Sequence, residues 1–271
     1  MKTIIIATDF SDTAKNAAQY AIEIAQHLKA NLVILHVFQM PINYSELPVV
    51  IDFEKMIKAA EQELETLKME LHTSFGSVSI DTQVIVGSFL MELNKVCEKL
   101  NPYVVVIGTQ GKTATERLFF GSEAVNTIKH LEWPVISVPL SSKYDGIKKI
   151  ALACDFEDVQ SIPVDSIKSF ISDFKAALHV INTGNQSKHS IEVFSESIHL
   201  MNLLEEVKPI YHYIESKDVE AGTMRFADSN EMDLLIILPK HHSLVDRLLF
   251  NAHTNEFVLH SHIPLLALHP V

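Results

Sequence analysis

Short apolar runs alternate with longer amphipathic stretches along the whole chain. In the first half the β-rich runs fall at about 2–8, 31–38, 79–86, 103–108 and 134–138, and Val104-Val-Val-Ile107 is apolar at every position. A strand that is wet on one face alternates in polarity. A strand that is apolar throughout is covered on both faces, which is the habit of parallel sheets. Helical patterns lie between the runs, at about 12–29, 51–74, 88–100 and 120–131. The second of these carries Phe53, Ile57, Ala60, Leu64, Leu67 and Leu71 at spacings of four and three, a single apolar stripe. Such alternation predicts a doubly wound α/β domain, a mostly parallel five-stranded sheet with helices on both faces.

The second half repeats the pattern, with strands expected near 148–154, 177–183, 208–214, 233–238 and 264–268. The repeat is also visible residue by residue. Met1-Lys-Thr-Ile-Ile-Ile-Ala-Thr-Asp9-Phe-Ser-Asp12 returns as Ile147-Lys-Lys-Ile-Ala-Leu-Ala-Cys-Asp155-Phe-Glu-Asp158, with six of twelve positions identical. Lys29-Ala30 matches Lys175-Ala176 at the same offset, and Arg117-Leu118-Phe-Phe120 matches Arg247-Leu248-Leu-Phe250 at an offset shorter by 16 residues. Two copies of one domain fit this better than a single large fold. The expected domains are 1–140 and 147–271, joined by the polar stretch Pro139 to Gly146.

At 271 residues the chain has room for two such units. With 47% hydrophobic and 21% charged residues it has the composition of a folded globular protein. The net charge of −12 is shared by both halves, and a nucleic-acid phosphate backbone needs a basic face, so nucleic acid is not the expected partner. Two cysteines, Cys97 and Cys154, build no disulfide framework and suit a reducing compartment. The apolar run before Asp9 is short for a signal peptide, and no run approaches the roughly 20 apolar residues of a membrane helix. A cytoplasmic protein without a membrane partner is expected.

The chemistry is concentrated after the fourth strand. Gly108-Thr-Gln-Gly111 is followed, after nine intervening residues, by Gly121-Ser122, where a helix should begin. Where no Cβ intervenes, backbone N–H groups can approach a ligand closely, and the positive end of a helix favours phosphate. In a doubly wound sheet the crevice lies outside the carboxyl ends of the strands, at the switch in strand order. Asp9 ends the first strand, Val37 lies near the end of the second and Gly108 ends the fourth. If strands one and four are neighbours, these residues meet there, with Asp9 placed to accept hydrogen bonds from a ribose.

Ala7-Thr-Asp-Phe-Ser11 together with the glycine spacing resembles the universal stress protein family, in a tandem form covering the whole chain. The resemblance implies ATP, with or without magnesium, as the ligand of the N-terminal copy. By the same resemblance Ala7, Thr8, Asp9 and Val37 would surround adenine and ribose. Gly108, Gly111, Gly121, Ser122 and Glu123 would surround ribose and phosphates, largely through backbone, and Lys112 would add a charge. In the family the last strand often pairs with its counterpart in a dimer. A tandem chain can satisfy that internally, as a pseudo-dimer of its two copies, with further homodimerisation left open. The second copy departs from the motif: Leu238, His241, Asn251 and Ala252 stand where the first has Gly108, Gly111, Gly121 and Ser122. One nucleotide per chain is therefore expected.

Other readings are weaker. Gly108-Thr-Gln-Gly-Lys-Thr113 lacks the first glycine of a P-loop, since position 106 is valine. Ten of the 14 histidines follow residue 146, but none shows a dense ligand spacing, so no metal site is assigned. Cys97 reads as a core residue, and Cys154 sits near the second crevice. The segment 39–50 could lie over a nucleotide. Asp9 is the carboxylate the pattern places at the crevice, and a ribose contact already accounts for it, so binding outweighs catalysis. A nucleotide-binding regulatory protein, a slow ATP hydrolase and a ligand-free scaffold all stay open, as does the protein partner.

Overall fold

The computed structural model describes residues 1–39, 52–109, 123–156, 158–184, 191–239, 257–258 and 261–269. Its strands are β1 (Thr3–Ala7), β2 (Asn31–Phe38), β3 (Ile80–Val86), β4 (Val104–Gly108) and β5 (Val135–Val138) in the first half. The second half supplies β6 (Lys149–Ala153), β7 (Ala177–Gly184), β8 (Ile210–Glu215), β9 (Leu234–Ile237) and β10 (Leu265–Ala267). All ten form one sheet in the order β3-β2-β1-β4-β5-β10-β9-β6-β7-β8. Every neighbouring pair is parallel except β5 with β10, which run antiparallel with Ile136 opposite Leu266. The fold is thus α/β with a mostly parallel sheet.

Both faces of the sheet are covered, as the apolar strands require. One face packs under α1 (Asp12–Leu28), α2 (Phe53–Ser74), α5 (Val164–Phe174) and α6 (Ile191–Leu204). The other packs under α3 (Phe89–Leu100), a helix over 123–130 (α4) and α7 (Val219–Ser229). Of the stripe read in α2, Ala60, Leu64, Leu67 and Leu71 are buried, whereas Phe53, beside the N-cap, is exposed. Among the described residues no helix is long and apolar enough to cross a membrane.

Matching positions of the two halves share their local geometry. α1 and α5 both end on a lysine in the left-handed conformation, Lys29 at φ 52° and Lys175 at φ 53°. After β1, Phe10 takes φ 67°, and after β6 Phe156 takes φ 57°. In the first turn the Phe10 N–H donates to Thr8 Oγ1 at 3.0 Å, and in the second the Phe156 N–H donates to Cys154 Sγ at 3.4 Å. The halves part company at the next helix. α1 starts at Asp12, capped by Ser11, but α5 starts only at Val164, after one 3₁₀ turn at Val159–Ser161. Pro163 explains the delay, because its ring cannot occupy a helix interior.

The halves are tied by more than the β5–β10 pair. Buried Asn16 of α1 donates through Nδ2 to the carbonyls of Pro139 (3.0 Å) and Ser142 (2.9 Å), and accepts from Lys143 Nζ at 2.7 Å. Lys2 and Tyr103 both donate to Asp173 at the end of α5. Burial alone would raise the Asp173 pKa, but these bonds hold it below the ordinary carboxylate range. Neither cysteine forms a disulfide, both are buried, and burial pushes the Cys97 thiol up to about 12.

Candidate functional site

The switch in strand order falls at β1, with β2 on one side and β4 on the other. A cleft of about 540 Å³ opens at the carboxyl ends of these strands, within the range of small-molecule sites. Its wall includes Ala7, Thr8 and Asp9 after β1, Val37 on β2, Gly108 at the end of β4 and Glu123 on α4. These are six of the ten positions named from sequence. Gly111, Lys112, Gly121 and Ser122 lie outside the described residues, as do most of segment 39–50 and His241, Asn251 and Ala252.

Each wall residue is held by its own local chemistry. The Thr8 N–H donates to the Leu35 carbonyl and so continues the β1–β2 ladder past the end of β1. Asp9 Oδ1 accepts from the Ser11 N–H at 3.0 Å, an Asx turn that fixes the carboxylate against the loop. Ser11 caps α1 by accepting from the Ala14 N–H at 3.2 Å, which aims the start of that helix at the cleft. Thr13 and Ala14, in its first turn, belong to the wall.

Gly108 is required by packing inside the protein. A Cβ there would lie 2.8 Å from Thr13 Cγ2 and 2.9 Å from the Thr13 carbonyl carbon and oxygen. The glycine therefore lets the first turn of α1 close onto the end of β4. In the second half Leu238 matches Gly108, and it packs against the core at a position where α1's counterpart has no α-helical first turn.

The cleft also recruits residues that the sequence pattern did not single out. His36, on β2, donates from Nδ1 to the Thr8 carbonyl at 2.8 Å, and its ring lies 4.6 Å from that of Phe10. A carbonyl oxygen only accepts, so Nδ1 carries the proton. Asn182 makes the matching contact in the second half, donating to the Cys154 carbonyl at 2.9 Å. Gln39, just past β2, donates from Nε2 to Glu123 Oε1 at 3.3 Å. Glu123 thus brings a second carboxylate to the cleft beside Asp9. Phe89, at the start of α3, adds an aromatic wall. The signal for His36 was its place beside Val37; nothing local marked Phe89. Among the described residues no group of three or more His, Cys, Asp and Glu side chains could hold a metal ion.

Comparison with known proteins finds a consistent set of relatives. The family model described as "Universal stress protein family" matches residues 1–139. A universal stress protein of Methanocaldococcus jannaschii is 32% identical over 145 residues, 52% of this chain and 84% of that protein. A second one from the same organism is 28% identical over 155 residues, 51% of this chain and 94% of that protein. Among solved structures, a universal stress protein from Archaeoglobus fulgidus superimposes with a TM-score of 0.72 at 14% identity, covering 99% of this chain and 96% of that one. A functionally unknown protein from Pseudomonas aeruginosa gives a TM-score of 0.61 at 14% identity, over 100% and 93%. At such identities the structural likeness is one of fold.

Proposed function

The chain belongs to the universal stress protein family, and on that premise we propose that it binds ATP or another adenine nucleotide in its N-terminal half and serves as a regulatory module of the stress response. The supporting observation is convergence. Ala7, Thr8, Asp9, Val37, Gly108 and Glu123 come from four separate places in the sequence and line one cleft at the strand-order switch. In this reading adenine and ribose lie against residues 7–9 and 37, and the phosphates lie toward the glycine segment 108–122. A magnesium ion would arrive on the phosphates.

The same reading divides the chain into domains 1–140 and 147–271 and treats β5–β10 as the internal counterpart of a dimer contact. The shared cap geometry of Lys29 and Lys175 supports the division. Leu238 in place of Gly108 and the missing first turn before α5 support a single nucleotide per chain. Binding is favoured over turnover because Asp9 is engaged with its own loop. Glu123 favours the second reading, slow hydrolysis, since it adds a carboxylate that could orient water.

The test is the small-molecule content of the purified full chain after denaturation, with Gly121→Val as the control. About one adenine nucleotide per chain, absent from the variant, is the expected result. No nucleotide released, and none taken up from added ATP and magnesium, would replace this reading with a ligand-free scaffold.

A further inference from the structure

The cleft's own electrostatics bear on which nucleotide it takes, an inference that rests on the adenine-nucleotide reading above. Asp9 and Glu123 are both acidic, and no lysine or arginine is among the described residues of the wall. Glu123 lies on the helix over 123–130 and contributes to the cleft wall. A carboxylate in the wall repels the negative charge of a phosphate bound beside it.

The placement of Glu123 is tertiary. β2 and β4 flank β1, so their ends stand two strand spacings apart, roughly 9–10 Å. Gln39, from the β2 side, reaches Glu123, from the β4 side, and the amide donates to the carboxylate at 3.3 Å. Both partners belong to the wall of the cleft that Ala7 also lines. The adjoining Thr127 hydroxyl donates to the Glu123 carbonyl at 2.8 Å, closing the helical turn beneath it.

We infer that Glu123 sets the phosphate-charge preference of the cleft. Its carboxylate penalises a ligand according to the uncompensated charge the phosphates carry. Adenosine is nearly indifferent to it, a monophosphate is mildly disfavoured, and metal-free ATP is disfavoured most. A divalent cation on the phosphates relieves the penalty. The ligand class is therefore an adenine nucleoside or nucleotide of low net charge, or the triphosphate as its metal complex. Lys112 lies outside the described residues and is unchanged between the variants compared below.

The experiment is calorimetric titration of the full chain with adenosine, AMP, ATP in EDTA and ATP with magnesium. It compares wild type, Glu123→Gln and Glu123→Ala at low and high salt. Both variants remove the charge, and only the glutamine keeps an oxygen that can accept from Gln39. Both should tighten metal-free ATP by about tenfold, the scale of one like-charge contact near a protein surface. Adenosine should change by less than about twofold, and the gain on ATP should shrink at high salt. Equal factors for ATP and adenosine, or a gain in the alanine variant alone, would overturn the charge argument and leave the nucleotide reading intact. Failure of every ligand to bind wild type and both variants would remove the nucleotide reading, and this inference with it.

Discussion

Replacing Gly108 with alanine separates a packing role from a ligand-approach role. The added Cβ would meet Thr13 Cγ2 at 2.8 Å and the Thr13 carbonyl carbon and oxygen at 2.9 Å. Carbon contacts relax only at about 3.5–4.0 Å, so the start of α1 must retreat by roughly half an ångström or more. Two of the three atoms are backbone, and no rotamer change can relieve them. Overpacking of this kind costs about 1–3 kcal/mol. The stiffer unfolded chain returns about 0.4–1 kcal/mol. The net loss is about 1–2 kcal/mol, or roughly 2–6 °C in Tm for a chain of this size. Urea unfolding followed by far-UV circular dichroism, without added nucleotide, reads it directly. Adding Thr13→Ser removes the methyl contact and keeps the hydroxyl, so the double variant should stay destabilised. Gly184→Ala is the control: nothing lies within 4 Å of a Cβ added there, so its stability should stay within about 0.5 kcal/mol of wild type. If Gly108→Ala unfolds at the wild-type midpoint, the close approach of α1 to β4 does not constrain that position, and the packing account falls.

Two further outcomes follow from the contacts between and within the halves. Asn16→Ala strands the Pro139 and Ser142 carbonyls and should cost about 1–3 kcal/mol in urea unfolding. Limited proteolysis should then cut faster within 139–146, and an unchanged cleavage rate would refute the clamp. His179 and His212 are joined by a 2.9 Å N···N bond with their ring planes within 7° of parallel. Burial, the neighbouring His212 and Lys149 hold His179 below its ordinary pKa. The unfolded chain therefore takes up this proton first. The stabilisation is complete above the unfolded value near 6.5 and is lost as pH falls through the lower folded one. Unfolding free energy should decline between pH 7 and 5 more steeply in wild type than in His179→Gln, and parallel curves would exclude the pair as a source.

Much of this protein is legible without coordinates because hydrophobic periodicity acts over a few residues. The all-apolar Val104-Val-Val-Ile107 could only be a strand covered on both faces, and β4 lies within the stretch where that run falls. The repeat of Asp9-Phe10 at Asp155-Phe156 marked two turns that share a left-handed phenylalanine. Pro163, visible in the sequence, carried the reason why α5 begins late. The glycine spacing pointed to β4 and its loop, but not to what Gly108 touches. That partner, Thr13, comes from a helix 95 positions earlier and is set by how α1 lies on the sheet. Strand order likewise belongs to the tertiary structure. Nothing local brings β5 beside β10, or sets Glu123 within reach of Gln39 across β1. Chain-local preferences choose elements and turns. Which elements become neighbours follows from burying both faces of one sheet at once, and that packing makes the cleft, its two carboxylates and the pairing of the halves.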